Sequence, residues 1–247
     1  MNREPKILIV IPAYNEGENI GKLIHRIQEN APQSDICLVD DGSSDHTYAQ
    51  ALLEDIAVIR HPFNMGYAPA CQSGFKYAKE NDYEIVLQMD ADGQHEPSNI
   101  ADLLEPVKKG SADLCIGSRF LGKAVYKTTL PKRAGMKIFA WIASLLTSQK
   151  ITDPTSGFLA FNDQVLSLYC SDIYPDDYPD AHLIILLHLA GLKIQEVPVT
   201  MYPNPKKSMH SFFSSIFYII VMLLYIFISL ASRKYILNKL KQVERKD

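Results

Sequence analysis

The feature that most constrains this chain is an alternation in its first half. Short, continuous apolar runs rich in β-branched residues alternate with segments whose apolar residues fall at helical spacing. KILIVI (6–11) is such a run, the pattern of a strand covered on both faces. Residues 17–29 follow with Ile20, Leu23, Ile24 and Ile27 on one helical face. Strands are expected at 36–39, 56–60, 84–89 and 112–117. Helices are expected at 68–79 and from Pro97 onward, where Ile100, Leu103, Leu104 and Val107 share a face and proline suits the first turn. This order predicts an α/β fold: a mostly parallel, Rossmann-like sheet with helices on both faces. The second half is less regular. A helix is expected at 130–148, a turn entering a strand at 151–161, a helix at 180–190 and a last strand at 193–199.

Polar clusters follow four of the strands: Asn15-Glu16, Asp40-Asp41, residues 61–66 and residues 90–95. One Asp-Gly is ordinarily a turn. Four clusters at the carboxyl edge of one sheet mark the crevice where open α/β sheets bind ligands. Asp90 and Asp92, one residue apart past a strand, can share a divalent cation with a diphosphate. Hard oxygen ligands suit Mg²⁺ or Mn²⁺, and Gln94 and His95 stand close enough to contribute. Neither G-x-x-x-x-G-K-[ST] nor G-x-G-x-x-G follows the first strand, so the P-loop and dinucleotide classes lose their usual support.

With 247 residues, 47% apolar and 21% charged, the chain has room for one large domain or two small ones. A net charge of −3 argues against a basic nucleic-acid surface. Cys37, Cys71, Cys115 and Cys170 are spread singly, which suits a reducing compartment rather than a zinc site or disulfide framework. The polar start is no secretory signal, so a cytoplasm-facing domain over 1–210 is expected. The remainder, 211–247, differs. Residues 212–231 carry no charge, and Arg233, Lys234, Lys239, Lys241, Arg245 and Lys246 follow. About twenty residues, apolar but for Ser214, Ser215 and Ser229, are enough to cross a bilayer as a helix. Basic residues on both flanks equally suit a helix lying at the cytoplasmic surface of the cell membrane.

IPAYNE (11–16), VDDGSSD (39–45), HPFNMG (61–66), MDADGQH (89–95), GSRF (117–120) and DPTSGF (153–158), in this order, resemble the family 2 glycosyltransferases of GT-A fold. The similarity runs over about 6–211 and points to the branch of dolichyl-phosphate mannosyltransferase and bacterial polyprenyl-phosphate glycosyltransferases. It implies that Pro12, Ala13, Tyr14 and Glu16 hold the nucleotide base and ribose, that Asp41 bonds the base and that Asp40 fixes the turn. Asn64, Gly66 and Ala91 would complete the donor site, and Asp90, Asp92 and Gln94 would bind the metal. Arg119 and Arg133 would contact phosphate or acceptor, with Asp153 and Ser156 nearby. The chain departs from the branch at Tyr67-Ala68-Pro69, where small residues are usual. It also has His182 where a second acid follows Asp180. Lys206 and Lys207 stand where arginine is usual and offer point charges instead of a bidentate fork.

The resemblance implies metal-dependent inverting transfer of a sugar from a UDP- or GDP-linked donor to a lipid carrier, most readily polyprenyl phosphate. A saccharide hydroxyl acceptor would instead require a carboxylate base, with Asp180 and Asp153 as candidates. A non-catalytic nucleotide-sugar-binding membrane subunit is a third reading, and a homodimer is left open.

Overall fold

The computed structural model describes residues 4–121, 130–202 and 212–231, apart from the side chains of 130–134 and 212–219. Seven strands form one sheet: β1 (Ile7–Ala13), β2 (Asp35–Asp40), β3 (Ala57–Arg60), β4 (Ile85–Gln88), β5 (Leu114–Ser118), β6 (Leu159–Asn162) and β7 (Ile194–Pro198). Their order is β3-β2-β1-β4-β6-β5-β7. All pairings are parallel except those of β6, which runs antiparallel to both β4 and β5. The α/β expectation holds, with one reversed strand in the middle of the sheet. Strand order changes direction between β1 and β4, the position where doubly wound sheets open a crevice.

The helices are α1 (Ile20–Asn30), α2 (Thr47–Ala51), α3 (Tyr67–Glu80), α4 (Ile100–Lys108), α5 (Leu130–Thr147), α6 (Asp163–Tyr169), α7 (Ala181–Leu189) and α8 (Phe212–Ala231). A 3₁₀ turn at Pro97–Asn99 leads into α4, so the helix expected to open at Pro97 begins three residues later. Glu96 accepts from the Ser98 N–H at that turn.

The pleat divides β1 between two cores. Leu8 and Val10 face one with Phe75, Val86, Phe161 and Tyr169; Ile7, Ile9 and Ile11 face the other with Ile20, Ile24, Leu87 and Leu103. Each core is thus closed by helices on its own side of the sheet.

In α7, AHLIILLHL is apolar nearly all round, the pattern of a helix with no solvent face, and 181–187 are all buried. Leu183, Ile184, Leu186 and Leu187 belong to the sheet-side core. Ala181 and Ile185 join Phe139 of α5 and Met222 and Ile226 of α8 in an outer cluster. His182 is buried with them. Its ring lies 5.0 Å from that of Tyr225, and its Nδ1 has no hydrogen-bond partner. Among the described residues, no helix is long and apolar enough to cross a membrane.

Burial drives the His182 pKa down to about 4. An unfolded chain would titrate it near 6.5, so the neutral ring's contribution to stability is complete above that pH and is lost as pH falls toward 4. The expected loss at pH 4.5 is on the order of 2 kcal/mol. Thermal unfolding of His182→Leu should therefore show a smaller drop between pH 7 and 4.5 than the unchanged protein.

Candidate active site

The carboxyl edge of the sheet is tied together by short hydrogen bonds between the sequence clusters. Asp41 N donates to Ala13 O and His61 N to Asp40 O, extending the β1–β2–β3 ladder past the strand ends. Asn15 takes a left-handed conformation (φ 55°), which asparagine tolerates. From there its N–H donates to Ser43 Oγ (2.9 Å) and its Oδ1 accepts from Ser44 N (2.9 Å). Glu16 N donates to Thr47 Oγ1 (2.8 Å). IPAYNE and DDGSSD are therefore one interlocked unit.

Asp40 and Asp41 are both out of water. Asp40 accepts from Ser43 N through Oδ1 and pairs with Arg60 Nε at 3.2 Å. Asp41 Oδ1 accepts from Met65 N (2.9 Å) and meets His61 Nδ1 (2.7 Å), while Oδ2 accepts from Gly66 N (2.8 Å). This carboxylate shapes the 61–66 loop. Gly42 between them has φ +68°, and a Cβ there would lie 2.5 Å from the Phe63 carbonyl carbon. Only glycine meets both demands. Pro12, Ala13 and Ala91 form buried walls, whereas Tyr14 and Asn64 are exposed at the rim.

Asp90 and Asp92 follow β4 across the strand-order reversal. The Asp90 side chain keeps 31% of its surface. Its Oδ1 accepts from Tyr67 Oη at 2.7 Å. Asp92 Oδ1 accepts from Gln94 N (3.0 Å), which folds the turn, and Gln94 O accepts from Tyr202 N (2.8 Å). His95 is buried, stacked on Phe158 with ring centroids 4.7 Å apart, and its Nδ1 accepts from Asp90 N at 3.1 Å. Burial holds its pKa below the ordinary histidine value, although Asp90 and Asp92 pull the other way. Its Nε2 lies 3.7 Å from Asp90 Oδ2. Among the described residues there is no group of three or more His, Cys, Asp and Glu poised for a metal. Two hard carboxylates on one turn, one of them partly open to water, fit a Mg²⁺ or Mn²⁺ ion whose remaining ligands come from a diphosphate and water.

Arg119 extends from the end of β5 into a bidentate pair with Asp153. Nε reaches Oδ2 at 2.6 Å and Nη2 reaches Oδ1 at 2.5 Å, with 9% and 0% of the two side chains exposed. Nη2 also donates to Thr155 Oγ1 (2.9 Å), and the Arg119 N–H donates to Asp153 Oδ2 (2.9 Å). Both Asp153 oxygens are committed to Arg119, a geometry for orienting a guanidinium rather than for taking a proton from a hydroxyl. Ser156 likewise donates to Gly117 O at 2.7 Å and holds the turn. Glu196 accepts from Thr152 N, Thr152 Oγ1 and Asp153 N, and its pKa is raised, chiefly by burial. Asp180 caps the start of α7 at intermediate burial. Arg133 lies within α5, and its side chain is outside the described residues, as are Lys206 and Lys207 altogether.

Sequence reading missed Glu196 and the role of Tyr67. Glu196 lay inside an unremarkable strand; Tyr67 was visible as a bulky residue where small ones are usual. Burial pushes the Cys37 and Cys115 thiols up to about 12, so neither is a nucleophile at neutral pH.

A sheet of this order, with acids over its switch point and a fixed arginine beside them, defines a GT-A-like architecture. The structure of glucosyl-3-phosphoglycerate synthase from Mycobacterium tuberculosis, solved with Mn²⁺ and UDP-glucose, superposes with a TM-score of 0.69 at 18% identity, covering 89% of this chain and 78% of that one. The family model for glycosyl transferase family 2 matches residues 8–169, and the chain belongs to that family. It is a glycosyltransferase. It is 31% identical to a UDP-N-acetylglucosamine–dolichyl-phosphate N-acetylglucosaminyltransferase of Methanococcus voltae, over 79% of this chain and 86% of that protein. It is 32% identical to an undecaprenyl-phosphate mannosyltransferase of Micrococcus luteus, over 79% and 83%.

Removing one member of the Arg119–Asp153 pair strands a buried charge. Asp153→Ala should cost about 3–5 kcal/mol in urea unfolding. The double variant Arg119→Met/Asp153→Leu should lose less than the single one, because no charge is left unpaired.

Proposed function

We propose that this enzyme transfers a sugar, with inversion, from a UDP- or GDP-linked donor to polyprenyl phosphate at a membrane surface. The observation that carries this reading is that the turn whose Asp153 holds Arg119 also touches Asp90: a Cβ at Gly157 would lie 3.0 Å from Asp90 Oδ2. Asp90 and Asp92 would hold Mg²⁺ or Mn²⁺. When bound, that ion offsets the charge developing on the departing diphosphate. The nucleotide would lie against the 12–16 and 40–43 segments, with Tyr14 at its rim. Arg119, fixed by Asp153, presents its guanidinium to phosphate without having to lose side-chain freedom on binding. Arg133, Lys206 and Lys207 are assigned to the acceptor side.

A phosphate acceptor is already anionic at neutral pH and needs orientation rather than deprotonation. A hydroxyl acceptor needs a carboxylate base within reach. Asp153, one of the two candidates, is engaged by Arg119, which favours the phosphate reading. The relatives named above act on dolichyl or undecaprenyl phosphate, and their names support the same choice.

The membrane part of the proposal rests on two outward faces. Ile138, Trp141 and Leu145 project from α5 at i, i+3 and i+7, and Ile220, Leu224, Phe227 and Ile228 project from α8; all are exposed. Both helices pack their other faces into one cluster on α7. A helix tied side-on to the catalytic body suits lying in the interface better than crossing the bilayer. The basic residues after 231 would meet anionic headgroups on the cytoplasmic face.

Three measurements check the proposal. A screen of nucleotide sugars with Mn²⁺ and a long-chain polyprenyl phosphate should yield a chloroform-soluble product. Excess nucleoside diphosphate should discharge it, because an anomeric phosphate is retained. A water-soluble product would overturn the acceptor assignment. Asp92→Asn should reduce the rate by about 10²-fold or more while the fold persists. Trp141→Asp combined with Phe227→Asp should weaken sedimentation with anionic liposomes while UDP binding is kept.

A further inference from the structure

Asp90 is not held by its own turn alone. Tyr67, the first residue of α3, reaches its Oδ1, and the local hydrogen-bond arithmetic fixes which way that bond runs. Gln88 is the last residue of β4 and is buried. Its side-chain amide donates twice, to Gly157 O at 3.0 Å and to Tyr67 Oη at 3.0 Å. A carbonyl oxygen only accepts, so the nitrogen of the Gln88 amide must face Gly157, and its second proton is directed at the phenol. The phenol oxygen therefore accepts from Gln88, and its single proton is left for the Asp90 carboxylate.

The same contact leaves no space at residue 157. A Cβ there would lie 2.7 Å from Tyr67 Oη and 3.0 and 3.1 Å from the two Asp90 oxygens. The DPTSGF turn, which carries the anchor of Arg119, thus touches the Asp90 carboxylate through a glycine. One relay, Gly157–Gln88–Tyr67–Asp90, joins the arginine-bearing turn to the donor-side acid.

We infer that Tyr67 is a positioning residue, orienting the Asp90 carboxylate for the divalent cation through the Gln88-directed phenol hydrogen bond. Oδ1 is kept by the phenol, and Oδ2, with His95 Nε2 3.7 Å away and beyond hydrogen-bond distance, is the oxygen that would meet the ion. The inference rests on the metal-assisted transfer proposed above and adds the residue that sets its acid in place. Partners that orient a ligating carboxylate from outside the coordination shell typically change metal affinity by about 10- to 100-fold when removed.

The test is Mn²⁺ binding to the full-length protein with UDP present, read from the electron paramagnetic resonance signal of free Mn²⁺, so that no turnover is needed. Tyr67→Phe removes one oxygen and keeps the ring. It should weaken Mn²⁺ binding by about tenfold or more while UDP affinity in EDTA and the unfolding midpoint in EDTA stay near those of the unchanged protein. Gln88→Leu, which leaves the phenol undirected, should weaken Mn²⁺ binding in the same sense and by less. In an Asp90→Asn background, Tyr67→Phe should add almost nothing, since the two groups act as one unit. Mn²⁺ affinity unchanged within twofold in a folded Tyr67→Phe protein, or full additivity with Asp90→Asn, overturns the inference and leaves the transferase reading standing. Failure of the unchanged protein to bind Mn²⁺ with UDP and with GDP alike overturns both.

Discussion

The buried Arg119–Asp153 pair is the interaction on which the architecture of the crevice depends. An ionised carboxylate without exposed surface loses several kcal/mol of hydration, and only a partner with fixed geometry restores it. Arg119 is that partner, and satisfying the pair recruits the surrounding chain. The guanidinium takes Thr155 as well, and the Arg119 N–H closes on the same carboxylate. Glu196 of β7 gathers the 152–153 backbone N–H groups, placing a second, half-buried acid beside the first. Three segments far apart in sequence, at the end of β5, in the middle of β7 and before β6, are thereby held together. The reversed direction of β6 follows from the same geometry. The chain must turn at 153–157 beside Arg119 and leave between β4 and β5, and this carries it down the sheet against its neighbours.

On the far side of α7 the problem is the opposite one, a surplus of apolar surface. α7 uses all of its circumference, one part on the sheet and the rest beneath α5 and α8. Those two helices cover it with one face each and leave Trp141, Leu145, Ile220 and Phe227 outward. An apolar face of this extent on a soluble surface is costly, which is why it reads as a site of contact with something apolar. His182 lies at this junction. A histidine there stays neutral because nothing near it repays the loss of its hydration, so this layer is held by packing alone while the crevice is held by charge.

Much of the donor half was legible because local chemistry decides it. Strands β1, β2, β4 and β5 are read from continuous apolar runs, and α1 and α4 from residues at helical spacing. The acid clusters mark the edge because the turns after buried strands are where acidic residues can be met by loop N–H groups, basic side chains or water. The short helices α2 and α6 were missed, since seven residues or fewer carry too little periodicity and depend on tertiary contacts to persist. The strand after the 153–158 turn was expected, but its antiparallel direction was not visible, because strand direction is a property of the partners and leaves no mark in a four-residue run. Asp153 shows the same limit in the site. Before Pro154 it reads equally as a turn residue or a base, and only the approach of Arg119 from 34 residues away decides for a third role. Tyr67 was noticed as unusual in place, but its function depends on Gln88, whose burial in mid-sheet no spacing rule reveals.

The acids of the crevice sort by how much of their hydration has been replaced. Asp41 and Asp153 are buried and fully engaged with arginine, histidine or backbone N–H groups; Asp40 is buried with Oδ1 on the Ser43 N–H and Oδ2 ion-paired to Arg60 without a hydrogen bond, and each fixes a loop. Asp90 has a phenol on one oxygen and retains open surface. A carboxylate whose bonds are already made has little left to offer a ligand, whereas one that is oriented but incompletely engaged is prepared for a cation. The distinction bears on the acceptor as well. Once the engaged acids are set aside, what remains near the strand-order reversal is the Asp90–Asp92 pair and, on the turn that touches Asp90, a guanidinium fixed by Asp153. The phosphate acceptor proposed above draws on that set, since Asp153 is already committed to Arg119 and is not free to take a proton from a hydroxyl.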